Sequence, residues 1–360
     1  MLCCVRKDIW VIKRITNRNI IMTFTDHLNK IIKRENLTAD AMASMVSDIF
    51  SGTVTSAQIG AFMAALATKK ETAEELYGAA LAMRKKAAKI QTIEKKCVDT
   101  CGTGGDSSGS FNVSTTTAFV VAGCGITVAK HGNRSISSKC GSADLLEELG
   151  VVIDLDPEIV EEAVNEIGIG FLFAPKFHGA MRHAAAARKE VAIRSIFNML
   201  GPLTNPAAAR CQLLGVFDPK LTEMFAQTLK LLGTHRALVV HGHDGMDEIT
   251  VCAPTRVSEL KDGMIRSYDL DPLEFFDDYA DPSALKGGDA GMNAAITRKI
   301  LAGELGPGRN IVLINAAAAL MASDAAMDIA GGIKMAEEAI DSGRAMAKLD
   351  DLIRFTRENG

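Results

Sequence analysis

Residues 101–119 read CGTGGDSSGSFNVSTTTAF and contain four Gly, eight Ser or Thr, one acid and no base. The run CVDTC (97–101) is typical of the end of a β-strand, and the run STTTAFVVA (114–122) is typical of the start of a helix. A strand, a glycine-rich turn and a helix in succession are the first half of a βαβ unit. This stretch therefore predicts an α/β fold that presents bare backbone between a strand and a helix.

Outward from this stretch, short β-branched runs alternate with helical runs from about residue 91 onward. The helical run LTEMFAQTLKLLG (221–233) carries its large apolar side chains at helical spacing and ends at a glycine. Such alternation is typical of a mostly parallel sheet covered by helices, which we predict for residues 91–360. The predicted strands are ITVAKHG (126–132), VVIDL (151–155), ALVVHG (237–242) and IVLIN (311–315).

Residues 22–90 instead show the apolar period of short amphipathic helices. The clearest apolar stripe is formed by Ile59, Phe62, Met63 and Leu66. Thr72 and Glu75 have the spacing of a capping box at a helix start. Because a few short helices enclose little core, we predict a small helical domain that packs on the rest of the chain or on a second subunit. Helices from about 175–200 are expected to pack on it.

Residues 1–21 differ in composition, with five basic residues, one acid and the only Trp of the chain. They have neither the apolar segment nor the cleavage site of a signal peptide. From Met22 the sequence reads MTFTDHLNKII, in which Thr25 is the predicted cap of a first helix. We predict that 1–21 form a disordered extension, and our hypothesis is a misassigned start. A native N-terminal sequence beginning before Met22 would contradict it.

The composition narrows the class of protein. The 360 residues are 48% hydrophobic and 23% charged with a formal net charge of −4, which is typical of a folded globular protein rather than a disordered or nucleic-acid-binding one. No apolar run reaches the ~20 residues that a membrane-spanning helix needs. The eight cysteines form no CxxC pair and no disulfide pattern, so we predict reduced thiols and a cytoplasmic location.

The turn GTGGD (102–106) is a candidate phosphate site. Its three glycines allow positive φ and bring backbone N–H groups close to a ligand, and the following helix start favours an anion. The stretch is neither a Walker loop nor a GxGxxG fingerprint. The alternative is a tight strand-to-helix turn whose hydroxyls only cap the helix.

A second candidate, KHGNRSISSKCGSADLLEELG (130–150), directly follows a predicted strand. Lys130, Arg134 and Lys139 supply positive charge among several serines, a combination that suits a polyanion such as pyrophosphate. The alternative is a solvated basic loop. Loops at the carboxyl ends of parallel strands gather at one crevice, which favours a shared site with the glycine turn.

A third candidate, HGHDGMDE (241–248), also follows a strand. Asp247 and Glu248 are adjacent hard oxygen ligands that suit Mg²⁺ held partly through substrate phosphates. The alternative is an acidic helix start. We do not assign a zinc site to His241 and His243, because an HxH pair lacks the third and fourth ligands.

No nucleophile and base pattern and no carboxylate pair for glycosidase-type hydrolysis stands out in the sequence. Phosphate clamps with Mg²⁺ ligands suit transfer at a carbon that bears an anionic leaving group. Electrostatic stabilisation of a departing pyrophosphate would then do most of the catalytic work.

Nine motifs, in order along the chain from about Met22 onward, resemble the anthranilate phosphoribosyltransferase family. They are GTGGD (102–106), FNVST (111–115), KHGNR (130–134), SSKCGSADLLEELG (137–150), GIGFLFAP (168–175), IFNMLGPLTNPA (196–207), QLLGV (212–216), VVHGHDGMDE (239–248) and NAAAAL (315–320). The resemblance implies a small helical domain hinged to a larger α/β domain, a fold shared with pyrimidine nucleoside phosphorylases, and a homodimer through the helical domains. It implies transfer of the phosphoribosyl group of 5-phosphoribosyl 1-diphosphate (PRPP) to anthranilate, in tryptophan biosynthesis.

The resemblance also assigns roles to residues of this sequence. Two Mg²⁺ ions per monomer are assigned to Ser114, Asp247 and Glu248. Catalysis is assigned to Lys130, Asn133 and Arg188. Anthranilate is assigned to Gly102, Asn133 and Arg188, with an access channel lined by His131, Pro175 and His178. PRPP is assigned to Gly102, Gly105, Asp106, Ser110, Asn112, Val113, Ser114, Thr115, Lys130, His131, Gly132, Asn133, Arg134, Ser135, Ile136, Ser137, Ser138 and Ser142.

The implied mechanism is dissociative. Mg²⁺ and Lys130 draw charge from the pyrophosphate, and the ribose C1 becomes oxocarbenium-like. The amine of anthranilate, oriented by Asn133 and Arg188, attacks from the opposite face with inversion. Closure of the two domains is expected to exclude water.

Two rival functions share this fold. A nucleoside phosphorylase would cleave thymidine or uridine with phosphate, but we find no nucleobase-recognition stretch. A nucleic-acid-binding relative would need a basic groove and would bind single-stranded DNA in a salt-dependent way. No nucleic-acid or membrane partner is predicted, since the chain after residue 21 is more acidic than the whole.

Overall fold

The computed structural model describes residues 22–106, 108–135 and 139–360, and the predicted extension 1–21 lies outside the described residues. Its strands are β1 (Val98–Gly102), β2 (Val128–Gly132), β3 (Ile169–Phe173), β4 (Cys211–Gly215), β5 (Arg236–Gly242), β6 (Thr255–Lys261) and β7 (Met264–Leu270). Its α-helices are α1 (Phe24–Ile32), α2 (Ala39–Phe50), α3 (Ser56–Lys69), α4 (Ala73–Lys86), α5 (Val113–Gly123), α6 (Ser142–Leu149), α7 (Pro157–Glu166), α8 (Ala174–Phe177), α9 (Arg182–Val191), α10 (Ile196–Met199), α11 (Leu221–Leu231), α12 (Ala290–Leu301), α13 (Pro307–Ala322), α14 (Ile329–Asp341) and α15 (Arg344–Asn359).

The seven strands form one sheet in the order β3-β2-β1-β4-β5-β6-β7. The first five are parallel and the last two are antiparallel, so the predicted mostly parallel sheet is confirmed. From β1 the chain proceeds to one side of the sheet through α5, and from β4 to the other side through α11. Ligands of such sheets bind where the strand order reverses, at the carboxyl ends of the strands.

The predicted strand IVLIN is wrong, because residues 311–315 lie inside α13. This helix packs against α5 and α14, and almost every one of its residues is buried, including both Ile311 and Asn315. A helix that is buried all round carries a continuous apolar run, which periodicity cannot distinguish from a central strand.

The prediction of a strand at VVIDL (151–155) is also wrong, because this segment is not part of the sheet. Residues 151–155 have no regular secondary structure and form no ladder with any described strand, although Val151, Ile153 and Leu155 are buried. The Val152 N–H instead donates to the Thr356 hydroxyl of α15 at 3.1 Å. The alternating burial of residues 151–155 thus reflects packing near α15 and not membership of a sheet.

The N-terminal helices α1–α4 form a layer whose apolar side chains continue into the core beneath β4 and β5. The predicted capping box of Thr72 and Glu75 is confirmed, but the cap of α1 is Thr23, with Asp26, rather than Thr25. Helix α9 packs on α2 and α3 through the buried Ala184 and other small side chains. None of the helices in the described parts is both long and apolar enough to cross a membrane.

Candidate active site

The glycine loop, residues 102–106 after β1, lies against the loop that follows β5. The Gly104 N–H donates to Asp247 Oδ2 at 2.9 Å, and a Cβ on Gly102 would lie 2.8 Å from the same oxygen. Gly104 and Gly105 have φ of +65° and +75°, a region that L side chains rarely adopt. The loop therefore needs glycine both for its turn and for its approach to the carboxylate.

Three carboxylates, those of Asp106, Asp247 and Glu248, gather at this edge of the sheet. The Asp247 N–H donates to Asp106 Oδ2 at 3.4 Å, and the Ser114 N–H in the first turn of α5 donates to Glu248 Oε1 at 3.1 Å. Desolvation and the nearby Asp106 carboxylate raise the pKa of Asp247 to about 7. Desolvation and Asp247 raise the pKa of Glu248 well above its usual range. The raised pKa values show that burial and mutual repulsion make the ionised forms of these carboxylates unfavourable in this structure.

These carboxylates fit Mg²⁺. In the parts of the chain that the structure describes, none of the three forms an ion pair with Lys, Arg or His. No group of three or more His, Cys, Asp or Glu side chains forms a ready metal cage there either. Carboxylates without a counter-cation and without a full ligand cage suit a hard cation that keeps waters and binds substrate phosphates.

Lys130 reaches the same edge from β2. Its side chain is buried, and its Nζ donates to the Thr100 carbonyl at 2.5 Å and to Ser114 Oγ at 3.5 Å. Burial lowers the pKa of Lys130, and the acids Asp99 and Glu248 oppose that shift. An ammonium group therefore lies beside the first turn of α5, where the helix dipole also favours an anion.

The loop after β2 folds back onto α6. The Asn133 carbonyl accepts from Ser142 Oγ at 3.2 Å, and Arg134 pairs with Asp144 at 3.1 Å and with Glu147 Oε1 at 2.8 Å. Two acids thus neutralise the Arg134 guanidinium, and its contact with PRPP stays a prediction. Ser135 donates its N–H to Asp144 as well.

Other residues predicted for PRPP lie around this loop and α5. Asn112 donates from Nδ2 to the Cys140 carbonyl at 3.1 Å, which ties the start of α5 to the loop after β2. A Cβ on Gly132 would overlap Ser142 Oγ, so the strand end needs glycine. Ser110 Oγ accepts from Ser108 Oγ at 3.1 Å. The predicted residues Ile136, Ser137 and Ser138 lie outside the described residues.

Two predicted PRPP residues in the first turn of α5 are buried. Val113 is 2% exposed and packs in the core. Thr115 is 1% exposed, and its hydroxyl has no hydrogen-bond partner among the described residues. In the first turn of α5, Ser114 is partly exposed, whereas Val113 and Thr115 are not.

His131 and His178 form a buried pair. The Gly201 carbonyl can only accept, so His131 Nδ1–H donates to it at 3.0 Å. His131 Nε2 is then an acceptor, and His178 Nε2–H donates to it across 3.2 Å. Desolvation lowers the pKa of His131 to about 3 and that of His178 to about 4, so both rings are neutral at pH 7.

A buried carboxylate on β1, that of Asp99, holds the backbone of β2 at His131. Asp99 on β1 accepts from the His131 N–H at 3.1 Å and from Asn205 Nδ2 at 2.8 Å. Asn205 also donates to the Ala129 carbonyl at 2.8 Å. Asp99 and Asn205 thereby connect β1, β2 and the segment 201–207 that covers the histidine pair.

Arg188, predicted to meet anthranilate, lies on α9. Its guanidinium carbon lies 5.8 Å from the centre of the Phe197 ring, and burial lowers its pKa. Pro175, in α8, is exposed, whereas the nearby His178 is buried. Of the residues predicted for anthranilate, Arg188 therefore lies on helix α9, which packs on α2 and α3, whereas Gly102 and Asn133 lie at the ends of β1 and β2.

Three residues with structural roles at this site were missed by the sequence analysis: Asp99, Asn205 and Arg194. Asp99 carried a usable signal, because an acid inside the apolar run CVDTC needs a buried partner. Arg194 carried none, since its contact with Gly105 joins residues 89 positions apart.

The fold and the site define a glycosyl transferase of two parts. The model of the glycosyl transferase family a/b domain matches residues 94–346, and that of the family's helical bundle domain matches residues 25–87.

Known proteins of this family resemble the chain over almost its whole length. A protein of Syntrophobacter fumaroxidans named anthranilate phosphoribosyltransferase is 64% identical, over 93% of this chain and 99% of its own. The crystal structure of anthranilate phosphoribosyltransferase from Thermus thermophilus has a TM-score of 0.88 at 41% identity, over 92% of this chain and 99% of that one. The enzyme of that name from Saccharomyces cerevisiae, solved in complex with PRPP and Mg, has a TM-score of 0.85 at 27% identity, over 93% and 98% of the two chains. It is also known in complex with 4-fluoroanthranilate. The chain belongs to the anthranilate phosphoribosyltransferase family.

The neutral histidine pair makes the stability of the fold depend on pH. Because both pKa values lie below the ordinary 6.5, the unfolded chain binds more protons below about pH 6.5, and the folded state loses stability as the pH falls toward about 4. Each ring should contribute a loss on the order of 1 kcal/mol between pH 7.5 and 5.5. We expect His178→Gln to remove that share of the decline, measured by urea unfolding at both pH values. An equal decline in His178→Gln and wild type would contradict the neutral pair.

Proposed function

We propose that this crevice joins anthranilate to PRPP, giving N-(5-phosphoribosyl)anthranilate and pyrophosphate, a step of tryptophan biosynthesis. The observation that carries the proposal is the convergence of the glycine loop, the start of α5, Lys130 and the pair Asp247 and Glu248 at the carboxyl ends of the strands. The names and bound ligands of the relatives support it.

The diphosphate of PRPP is proposed to bind between the glycine loop and the first turn of α5. Backbone N–H groups and the helix dipole offer donors to the phosphate oxygens there. Lys130 adds a positive charge beside Ser114. As the bond from the ribose C1 to the pyrophosphate breaks, these groups stabilise the negative charge of the leaving group more than that of bound PRPP, which lowers the barrier.

We propose Ser114, Asp247 and Glu248 as the residues that hold Mg²⁺, two ions per monomer. The mutual repulsion of the carboxylates, seen in their raised pKa values, supports this assignment. Bound Mg²⁺ would supply charge neutralisation of the diphosphate and its leaving group.

Anthranilate is proposed to enter from the helical side. The Arg188 guanidinium can form charge-assisted hydrogen bonds with its carboxylate, and Asn133, exposed at the end of β2, can orient its amine. Attack from this side, opposite the diphosphate, inverts the configuration at C1. His131 has no free proton-accepting nitrogen in the pair described above, so we assign it to shaping the channel and not to acting as a base.

The direct test is the loss of anthranilate fluorescence on addition of PRPP, with and without Mg²⁺. A Mg²⁺-dependent loss with release of pyrophosphate supports the proposal. Phosphorolysis of thymidine or uridine would support the phosphorylase rival, and salt-dependent binding of single-stranded DNA without turnover would support the nucleic-acid-binding rival. Either result without loss of anthranilate overturns the proposal.

Replacement of Arg188 should affect KM for anthranilate more than KM for PRPP. Loss of a hydrogen bond to a charged group costs on the order of 2 kcal/mol, so Arg188→Ala should raise KM for anthranilate about 10- to 50-fold, with a smaller change in KM for PRPP. Steady-state kinetics with each substrate varied in turn measures this. Arg182→Ala, at an exposed position of the same helix, is the matched control. An unchanged KM for anthranilate would rule out the assignment.

We also propose a homodimer through the helical domain and a cytoplasmic location. Six free cysteines among the described residues suit a reducing compartment. A monomer by light scattering at working concentration would overturn the dimer.

A further inference from the structure

Arg194 lies between α9 and α10, and no substrate or metal has been assigned to it above. Helix α9 ends at Ala192, whose positive φ of 51° turns the chain back toward the sheet. Arg194 follows this turn with an exposed side chain. It therefore extends from the helix that carries Arg188 toward the glycine loop.

The guanidinium of Arg194 contacts two loops of the α/β domain at once. Its Nη2 donates to the Gly105 carbonyl at 2.7 Å, and its central carbon lies 3.7 Å from the centre of the Phe217 ring. The Phe217 N–H in turn donates to the Thr103 hydroxyl at 3.1 Å. One side chain thus connects α9, the glycine loop and the loop after β4.

Gly105 is shaped for this contact. Its φ is +75°, and a Cβ built on it would overlap Arg194 Nη2. Glycine suits the backbone conformation here, and a side chain at this position would displace the guanidinium from the Gly105 carbonyl.

The contact also determines where the next N–H group points. A trans peptide directs its C=O and its N–H in opposite directions, so holding the Gly105 carbonyl on Arg194 turns the Asp106 N–H away from Arg194. Among the described residues, neither the Gly105 nor the Asp106 N–H has a protein acceptor. These two donors are therefore left for a ligand of the loop.

The charge of Arg194 is also uncompensated. Within the described ranges no carboxylate lies within ion-pair distance of it, in contrast to Arg134, which pairs with two acids. Beside the three carboxylates of this edge, the glycine loop thus also offers a cation and free backbone donors, which a diphosphate bound together with Mg²⁺ can use.

We propose that Arg194 is a positioning residue for the diphosphate: it holds the Gly105–Asp106 peptide so that its N–H faces the leaving group, and it joins the helix of Arg188 to that loop. The inference rests on the proposed function for the identity of the diphosphate. It assigns to Arg194 a larger effect on PRPP than on anthranilate, because its hydrogen bond is to the Gly105 carbonyl of the glycine loop.

The test compares Arg194→Ala, Arg194→Lys and Phe217→Leu with the control Arg182→Ala. Loss of one charge-assisted hydrogen bond predicts about a tenfold or larger rise in KM for PRPP in Arg194→Ala, with KM for anthranilate changed by less than about twofold. Arg194→Lys keeps the charge but loses the planar stacking on Phe217. Its KM for PRPP should therefore lie between those of wild type and Arg194→Ala. Phe217→Leu should raise KM for PRPP by about threefold, since it removes the ring alone. Arg182→Ala should match wild type.

A second readout is independent of the acceptor. The Kd of inorganic pyrophosphate with Mg²⁺, measured by calorimetry, should rise in parallel with KM for PRPP in Arg194→Ala, while the Tm stays within about 3 °C of wild type. A wild-type Kd and KM in Arg194→Ala would overturn the proposal, and so would a large fall in Tm in both Arg194 variants with equal losses in both substrates. If wild type binds pyrophosphate but does not consume anthranilate, the proposed function fails while the Arg194 result still stands.

Discussion

Replacing Asp247 by Asn and Glu248 by Gln together is expected to lower kcat/KM by at least about 100-fold, because the neutral side chains can no longer hold the cation that offsets several kcal/mol of charge on the leaving group. The substitution preserves shape: Asn at 247 keeps an oxygen that can accept from the Gly104 N–H, now at 2.9 Å. The loss therefore reports charge and not loop collapse.

The same variant should be at least as stable as wild type without Mg²⁺. Desolvation and the neighbouring carboxylates raise the pKa of both side chains, so their ionised forms are unfavourable in the folded state. The stabilisation that wild type gains from Mg²⁺ and PRPP, measured as a shift in Tm, should disappear. Asp262→Asn makes the same chemical change in the turn between β6 and β7 and is the control. Wild-type turnover in the double variant would contradict the proposal that Asp247 and Glu248 hold Mg²⁺.

Lys130→Met is expected to lower kcat by about 100- to 1,000-fold, the effect of removing one group that stabilises charge in the transition state. Methionine has a similar length and no charge, so packing around the buried side chain is largely kept. Methionine also removes the donor to the Thr100 carbonyl and the positive charge near the buried Asp99, so the variant should unfold at a lower urea concentration than wild type.

The two readouts for Lys130 separate catalysis from folding. Steady-state kinetics gives kcat, and urea unfolding gives the free energy of unfolding. Lys85→Met, at an exposed position of α4, should change neither by more than a small factor. A variant at position 130 with full activity would show that Ser114 and the backbone donors suffice for the leaving group.

Much of the fold could be predicted from local patterns. The strands that end at Gly132 and Gly242 and the helix that starts near Val113 follow from β-branched runs, hydroxyl-rich helix starts and glycines at turns. The capping box of Thr72 follows from side-chain chemistry within four residues. These features depend on neighbours in sequence, which is why they could be recognised.

Elements whose state depends on distant packing could not be recognised in this way. Residues 311–315 are helical because α13 is enclosed on all sides, and 151–155 stay unpaired because their partner is α15. The hairpin of β6 and β7 was not predicted at all, since the half-exposed face of an edge hairpin carries a weak apolar signal.

The sequence by itself determined the α/β class and, through its motifs, the family of the chain, and it singled out the three candidate loops. Only the tertiary structure decided how these loops are held: Asn205 donates to Asp99, His131 Nδ1–H donates to the Gly201 carbonyl, and Arg194 donates to the Gly105 carbonyl. The physical reason is the range of the interactions. Backbone propensity and capping act between near neighbours, whereas a buried carboxylate or an uncompensated cation finds its partner only when the chain has folded.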